Sequence, residues 1–193
     1  MEADKIIHIF WFRRDLRFTD NHGLYQALSS GLPVLPIFIF DMNILEQLEK
    51  DDKRVEFIWQ ELVELNTKLT EYQSAIQFYF DRPIKVFKKL INKYSIHSVF
   101  ANEDYEPYGI NRYKEIKEFL TPKGILMRLF KDHVIFKPDE VVKADGTPYT
   151  IYTPYKNKWR EIFNQHKLPR YHSESLLDHF IPVKPTSIAA LDQ

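Results

Sequence analysis

Five short apolar runs, separated by stretches of helical periodicity, constrain this chain more than any other feature. They are IIHIFWF (6–12), VLPIFIF (34–40), AIQFYF (75–80), SVFAN (98–102) and ILMRLF (125–130). Each is too short for a buried helix and rich in β-formers, so each predicts a strand. Between them apolar residues return every three or four positions. Val55, Ile58, Trp59, Leu62, Leu65 and Leu69 make one helical stripe. Ile84, Phe87, Leu90, Ile91 and Tyr94 make a second, with Pro83 suited to the first helical position. Ile110, Tyr113, Ile116 and Leu120 make a third, stopped by Thr121-Pro122. Asp20 is expected to cap a further helix over 21–30, closed by Gly31. The order reads β-α-β-α-β-α-β-α-β. Strands apolar on both faces belong in a parallel sheet covered on both sides. Right-handed crossovers then give a Rossmann-like, doubly wound, five-stranded parallel sheet with helices on both faces. Pro36 falls inside the second run; its missing N–H predicts a bulge or a strand start there.

After about Lys131 the pattern changes. The expected organisation is an α/β domain over 1–131, then a loop, a small hairpin around Asp145-Gly146 and a helix over 132–165 completing it. That helix runs from Pro154 to Gln165 and is read as anchored by Trp159 and Phe163. Residues 166–193 have no clear period and read as a linker towards a further domain. With 44% hydrophobic residues in 193, the chain can build a real core, so disorder is excluded. The absence of cysteine excludes disulfides, thiolate zinc sites and a cysteine nucleophile. The N-terminus lacks the basic start and cleavage site of a signal peptide. No apolar run approaches the roughly 18 residues of a membrane span, so a cytoplasmic protein without membrane contact is expected. Equal numbers of basic and acidic residues, 27 each, argue against a chain whose main work is gripping phosphate backbones.

In an open parallel sheet ligands bind beyond the carboxyl ends of the strands. The segments there are Arg13-Arg14-Asp15-Leu16-Arg17, Asp41-Met42-Asn43 and 102–109, NEDYEPYG. They are dense in charge and aromatic rings, which suits a planar, polar-edged ligand. Plainer readings stand beside this one. The arginines around Asp15 equally fit a salt-bridge network. Asp104 and Glu106 fit solvated or arginine-paired acids as well as acid/base work. His166, His172 and His179 lack the spacing of a metal site. The basic stretch 156–170 reads as a solvated helix face. The phosphate-binding fingerprints GxGxxG and GxxxxGK[ST] and the GxSxG elbow are all missing. The residues alone therefore support a small-ligand-binding Rossmann-like domain.

Four segments, in order, also carry a resemblance. WFRRDLRFTDNHGL (11–24) closely resembles the opening signature of DNA photolyases and cryptochromes, WFRRDLRLxDN. VLPIFIFD (34–41) looks like that family's second strand, and ANEDYEPYGINR (101–112) is similar to its NxDYEPYxxxR segment. DHVIFKPDEVVKADGTPYTIYTPYKNKW (132–159) is similar to D(H/Q)xLxxPxxVxxxxGxPYxVFTPFxxxW. The resemblance implies the N-terminal α/β antenna domain of a class I-like deoxyribodipyrimidine photolyase. Such proteins repair cyclobutane pyrimidine dimers in DNA by light-driven electron transfer from FAD. FAD, the catalytic residues and the DNA surface belong to a C-terminal helical domain, absent here, so the fragment alone is expected to be inactive. Trp11, Trp59 and Trp159 are not the family's electron chain, and Trp159 is read as a core anchor. In this domain the resemblance implies an antenna chromophore held by Arg13, Phe38, Phe40, Asp41, Arg54, Asp104, Glu106, Tyr108, Gly109 and Arg112. The EPYG run with Arg112, and Arg54, favour 8-hydroxy-deazaflavin or FMN over a folate, whose binders carry Asn-Glu where this chain has Tyr108-Gly109. Gly109 is expected to let the ring approach the backbone, and Arg54 to bond an oxygen of the ligand. A cryptochrome-type photoreceptor that signals without repair is the alternative function. A stand-alone nucleotide-binding domain is a more distant one.

Overall fold

The computed structural model describes residues 5–186. In chain order its elements are β1 (Ile6–Phe12), α1 (His22–Leu28), β2 (Val34–Asp41), α2 (Met42–Leu45), α3 (Lys53–Leu69), β3 (Gln77–Asp81), α4 (Pro83–Lys93), β4 (Ser95–Asn102), α5 (Pro107–Leu120), β5 (Leu126–Phe130) and α6 (Tyr152–Gln165). The five strands form one parallel sheet in the order β3-β2-β1-β4-β5. The order reverses between β1 and β4, which opens a crevice at their carboxyl ends.

Strand alternation sorts the apolar residues into two cores. Phe10, Phe12, Val34, Phe38, Phe40 and Phe100 face α1 and α3, meeting Leu24, Leu28, Leu62, Leu65 and Leu69. Ile7, Ile9, Trp11, Leu35, Ile37 and Ile39 face the other way, against Val86, Phe87 and Leu90 of α4 and Ile116 and Leu120 of α5. The predicted doubly wound α/β sheet is therefore the observed one. Among the described residues no helix is long and apolar enough to cross a membrane.

Several local expectations are corrected. The cap of α1 is Asn21, whose side chain accepts the Leu24 N–H at 3.1 Å. Asp20 instead takes the left-handed conformation, φ +50°, and accepts the Tyr171 N–H at 2.8 Å. Pro36 makes neither a bulge nor a strand start: pairing with β1 runs in register through it, from His8↔Val34 to Phe12↔Phe38. The Val34 carbonyl points away from β1 and accepts the Ile181 N–H at 2.9 Å. Residues two apart face the same way, so the missing Pro36 donor points to that side, just before β3 pairing begins at Ile37↔Gln77. No ladder bond to β1 is lost.

Of the hairpin expected at Asp145-Gly146, the turn forms, closed by the Lys143 N–H on the Thr147 carbonyl at 2.9 Å, with no flanking strands. Trp159 is not a core anchor. No residue of α6 is fully buried, and Trp159 stacks on Phe163 at 4.9 Å with Phe136 edge-on at 5.5 Å. The segment read as a linker begins by folding back over the domain. Ser173 Oγ accepts the Asn21 N–H at 3.1 Å and donates to the Phe18 carbonyl. Leu177 and Phe180 enter the α1/α3 core, and Phe180 makes a parallel bridge to Val34. The last seven residues of the expected linker, 187–193, lie outside the described residues.

Candidate functional site

The crevice starts with one buried amide. Asn102, the last residue of β4, donates to Asp15 Oδ2 at 2.5 Å and to Asn21 Oδ1 at 2.8 Å, while its own oxygen accepts the Gly23 N–H at 2.8 Å. The other Asp15 oxygen accepts the Arg13 N–H at 2.9 Å. A Cβ on Gly23 would lie 2.5 Å from the Asn102 oxygen, so glycine is what lets α1 sit this close to β4. The Arg-Arg-Asp segment after β1 is thus fixed by amides. Two of the three arginines around Asp15 pair with other carboxylates: Arg14 bonds Glu106, and Arg17 bonds Asp132 at 2.8 Å. The salt-bridge reading therefore holds for Arg14 and Arg17, through Glu106, Asp104 and Asp132 and not through Asp15.

All ten residues singled out for the antenna site line a single cavity of about 350 Å3 at the carboxyl ends of β1, β2 and β4. Asp41 ends β2 and caps α2 by accepting the Asn43 N–H at 3.1 Å. Its Oδ2 also accepts from Tyr108 Oη at 2.6 Å and Arg112 Nη1 at 3.2 Å. Burial and that contact push the Tyr108 hydroxyl up to about 12. Arg112 also lies 3.8 Å from Asp104, as does Arg14 from the same oxygen. Phe38 and Phe40 are buried and meet edge to face at 4.9 Å, and Phe40 stacks on Phe80 at 4.5 Å.

Two expected roles change. A Cβ on Gly109 would fall 2.3 Å from the Asp104 carboxyl carbon, so this glycine makes room for Asp104 itself. Arg54 stands at the rim, three-quarters exposed, and grips Asp52 through Nε at 2.9 Å and Nη2 at 2.5 Å. That bond holds the Asp52 carboxyl down at about 2. The apolar wall was missed: Ile44, Leu45, Leu48, Val55 and Ile58, from α2, the turn after it and the start of α3. The signal for it is the ILEQL run three residues beyond Asp41.

Arg13 is the outlier. It is 8% exposed, and neither Nη1 nor Nη2 finds an acceptor among the described residues. Burial, then the neighbouring Arg112 charge, lower its pKa to about 10, so it stays charged at neutral pH. An apolar wall and a carboxylate-braced rim can hold a planar ring by its faces and fix it by its edge. Nothing in this arrangement resembles a nucleophile with its base.

The DNA photolyase family model matches residues 8–173. A deoxyribodipyrimidine photo-lyase of Synechococcus sp. (strain ATCC 27144) is 29% identical over 152 residues, 79% of this chain and 31% of the relative. The chain therefore spans about a third of that relative's length. A class III photolyase from Agrobacterium tumefaciens shares the fold at TM-score 0.79 and 24% identity, over 99% of this chain and 39% of that one. An archaeal photolyase from Sulfolobus tokodaii, solved with two FAD molecules and the implication of a novel light-harvesting cofactor, gives TM-score 0.69 and 26% identity. It covers 94% of this chain and 42% of the other.

Proposed function

This chain belongs to the DNA photolyase family, and on that premise we propose that its α/β domain holds a flavin-type antenna chromophore, FMN or an 8-hydroxy-deazaflavin, in the cavity beyond β1, β2 and β4. The observation that carries this reading is the gathering of all ten candidate residues around one cavity, whose size falls within the roughly 300–1,000 Å3 of small-molecule pockets. A second flavin in the Sulfolobus tokodaii photolyase supports it. Bound there, such a chromophore absorbs light and passes its excitation on. The protein's task is rigidity: Phe38, Phe40 and Ile58 cover the ring and exclude water, while Asp41, Tyr108 and Arg112 brace the rim against motion. No acid, base or nucleophile is needed. On this reading repair of pyrimidine dimers, with its FAD and its DNA contacts, is the work of a helical domain outside these residues.

Titration of the purified chain with FMN, riboflavin, 8-hydroxy-5-deazaflavin and methenyltetrahydrofolate, followed by absorbance and fluorescence, tests the proposal. Saturable binding of a flavin-type ring is expected, with a shifted visible band, abolished by Ile58→Trp. Binding of the folate alone, or of none, would overturn it; so would light-driven dimer repair by this chain without a further domain.

A further inference from the structure

We propose that Tyr108 and Asp41 form a light-driven redox pair: Tyr108 gives an electron to a photoexcited flavin-type ring in the cavity, and its phenolic proton passes to Asp41. The pair drains excitation that finds no acceptor elsewhere. The inference rests on the reading of the cavity as a chromophore site and goes beyond it, giving the domain a photochemistry of its own.

Excited flavin rings are strong one-electron oxidants, so the side chains around such a ring decide the fate of its excitation. The lining of this cavity is almost wholly redox-silent. Its two buried rings are Phe38 and Phe40, and most of the rest is aliphatic, acidic or arginine. Among the described residues Tyr108 is the one oxidisable side chain there; no Trp, Met, Cys or His lines the cavity. Trp59 stands behind Phe40, its ring centroid 6.2 Å away, and is not part of the lining. Tyr108 is 40% exposed. A ring that fills about 350 Å3 can stand no more than a few ångströms from it. Electron transfer over that span requires neither contact nor one fixed orientation.

The proton has a prepared path. Tyr108 Oη donates to Asp41 Oδ2 at 2.6 Å and accepts from Asn43 Nδ2 at 3.3 Å. In the dark the proton stays on the phenol, whose pKa burial and then the Asp41 contact push up to about 12. An oxidised phenol is a far stronger acid than a carboxylic acid. When Tyr108 loses an electron its O–H bond breaks, and the proton forms a new O–H bond on Asp41 Oδ2. Asn43 still donates to the phenoxyl oxygen left behind. The Arg112 guanidinium carbon lies 5.3 Å from the centroid of the Tyr108 ring, and its Nη1 lies 3.2 Å from the same Asp41 oxygen. That cation opposes a positive charge on the phenol, so the electron leaves together with the proton and Tyr108 stays neutral. Tyr108 is oxidised by one electron and the ring is reduced by one. Return of the electron, with the proton moving back from Asp41, restores both and releases the energy as heat. The cycle consumes nothing.

The test saturates the whole chain with oxidised FMN, reads binding by absorbance and measures the fluorescence lifetime of the bound ring. Wild type should be strongly quenched relative to free FMN, with a phenoxyl-radical signal in transient absorption. Tyr108→Phe, which keeps the ring and removes the hydroxyl, should lengthen the lifetime several-fold and abolish the radical signal. Heavy water should lengthen the wild-type lifetime and leave that of Tyr108→Phe unchanged. Asp41→Asn keeps an acceptor for the phenol but no base, and its lifetime should fall between the two. Where a variant fails to fold or to bind, the radical signal and the heavy-water effect in wild type decide. A lifetime unchanged by Tyr108→Phe overturns the proposal, as does lengthening by Trp59→Phe instead. A Tyr108 effect without a heavy-water effect overturns Asp41 as the destination of the proton. Absence of FMN binding to wild type overturns the chromophore reading together with this one; quenching that survives Tyr108→Phe leaves that reading standing.

Discussion

Asn102 ties the carboxyl end of β4 to the segment after β1 and to the start of α1 with a single buried amide. Replacing it by Ala strips a hydrogen bond from the Asp15 carboxylate and from the Gly23 N–H, both buried. Each unfilled group costs about 1–3 kcal/mol, so Asn102→Ala should destabilise the domain by about 3 kcal/mol and lower its melting temperature by roughly 6–12 °C. A loss under about 1 kcal/mol in thermal or urea unfolding would mean that the network relaxes around the gap. Gly109 presents the opposite problem. Adding a Cβ drives it into Asp104, which then leaves Arg112 and Arg14. Gly109→Ala should cost about 1–3 kcal/mol by overpacking and weaken flavin binding at the same time, both visible in one ligand-dependent melting experiment.

At the scale of elements, the segment 171–183 has the least obvious role. It runs along α1, from the Ser173–Asn21 contact to the start of β2, buries Leu177 and Phe180, and hands the Ile181 N–H to Val34. Phe180→Ala should therefore cost about 3–5 kcal/mol, as a large core truncation does. Tyr152→Ser on exposed α6 should stay within about 0.5 kcal/mol. Equal effects in thermal unfolding would remove the segment's structural role. This element was not legible in the sequence, because its apolar residues contact a strand some 145 positions earlier and share no period. The five strands and the stripes of α3, α4 and α5 were legible for the opposite reason: their periods are local. The cavity was half legible. Its charged rim follows strand ends, where the sheet topology says to look. Its apolar wall was hidden because Val55 and Ile58 read as ordinary members of the α3 core stripe, which they also are. Arg54 was assigned to a ligand although Asp52, two residues earlier at the cap of α3, was already an adequate partner.

For the molecule as a whole, stability against acid turns on a residue far from the cavity. His8 sits in β1, 3% exposed, with its ring edge-on to His97 at 5.2 Å and to Phe100 at 5.0 Å. Its Nδ1 has no partner among the described residues. Burial first, then the charges of His97 and Arg128, lower its pKa from 6.5 to about 4. The unfolded chain therefore takes up a proton between pH 6.5 and 4 that the folded chain refuses. In that window the unfolded state binds more protons, so stability is full above it and falls as the pH drops through it. The two pKa values imply a loss of about 2 kcal/mol between pH 7 and pH 5. The carboxylates held low by partners act elsewhere. Asp52, near 2, Glu106 and Asp81 withdraw their contributions only as the pH falls below the ordinary carboxylate range. His8→Leu replaces the ring with an apolar side chain of similar size, which suits a buried strand. Urea unfolding at pH 7 and pH 5 should show the wild type losing about 2 kcal/mol and the variant less than about 0.5 kcal/mol. A wild type equally stable at both values would mean that His8 is protonated in the fold, and a variant that keeps the full loss would place the acid sensor in another histidine.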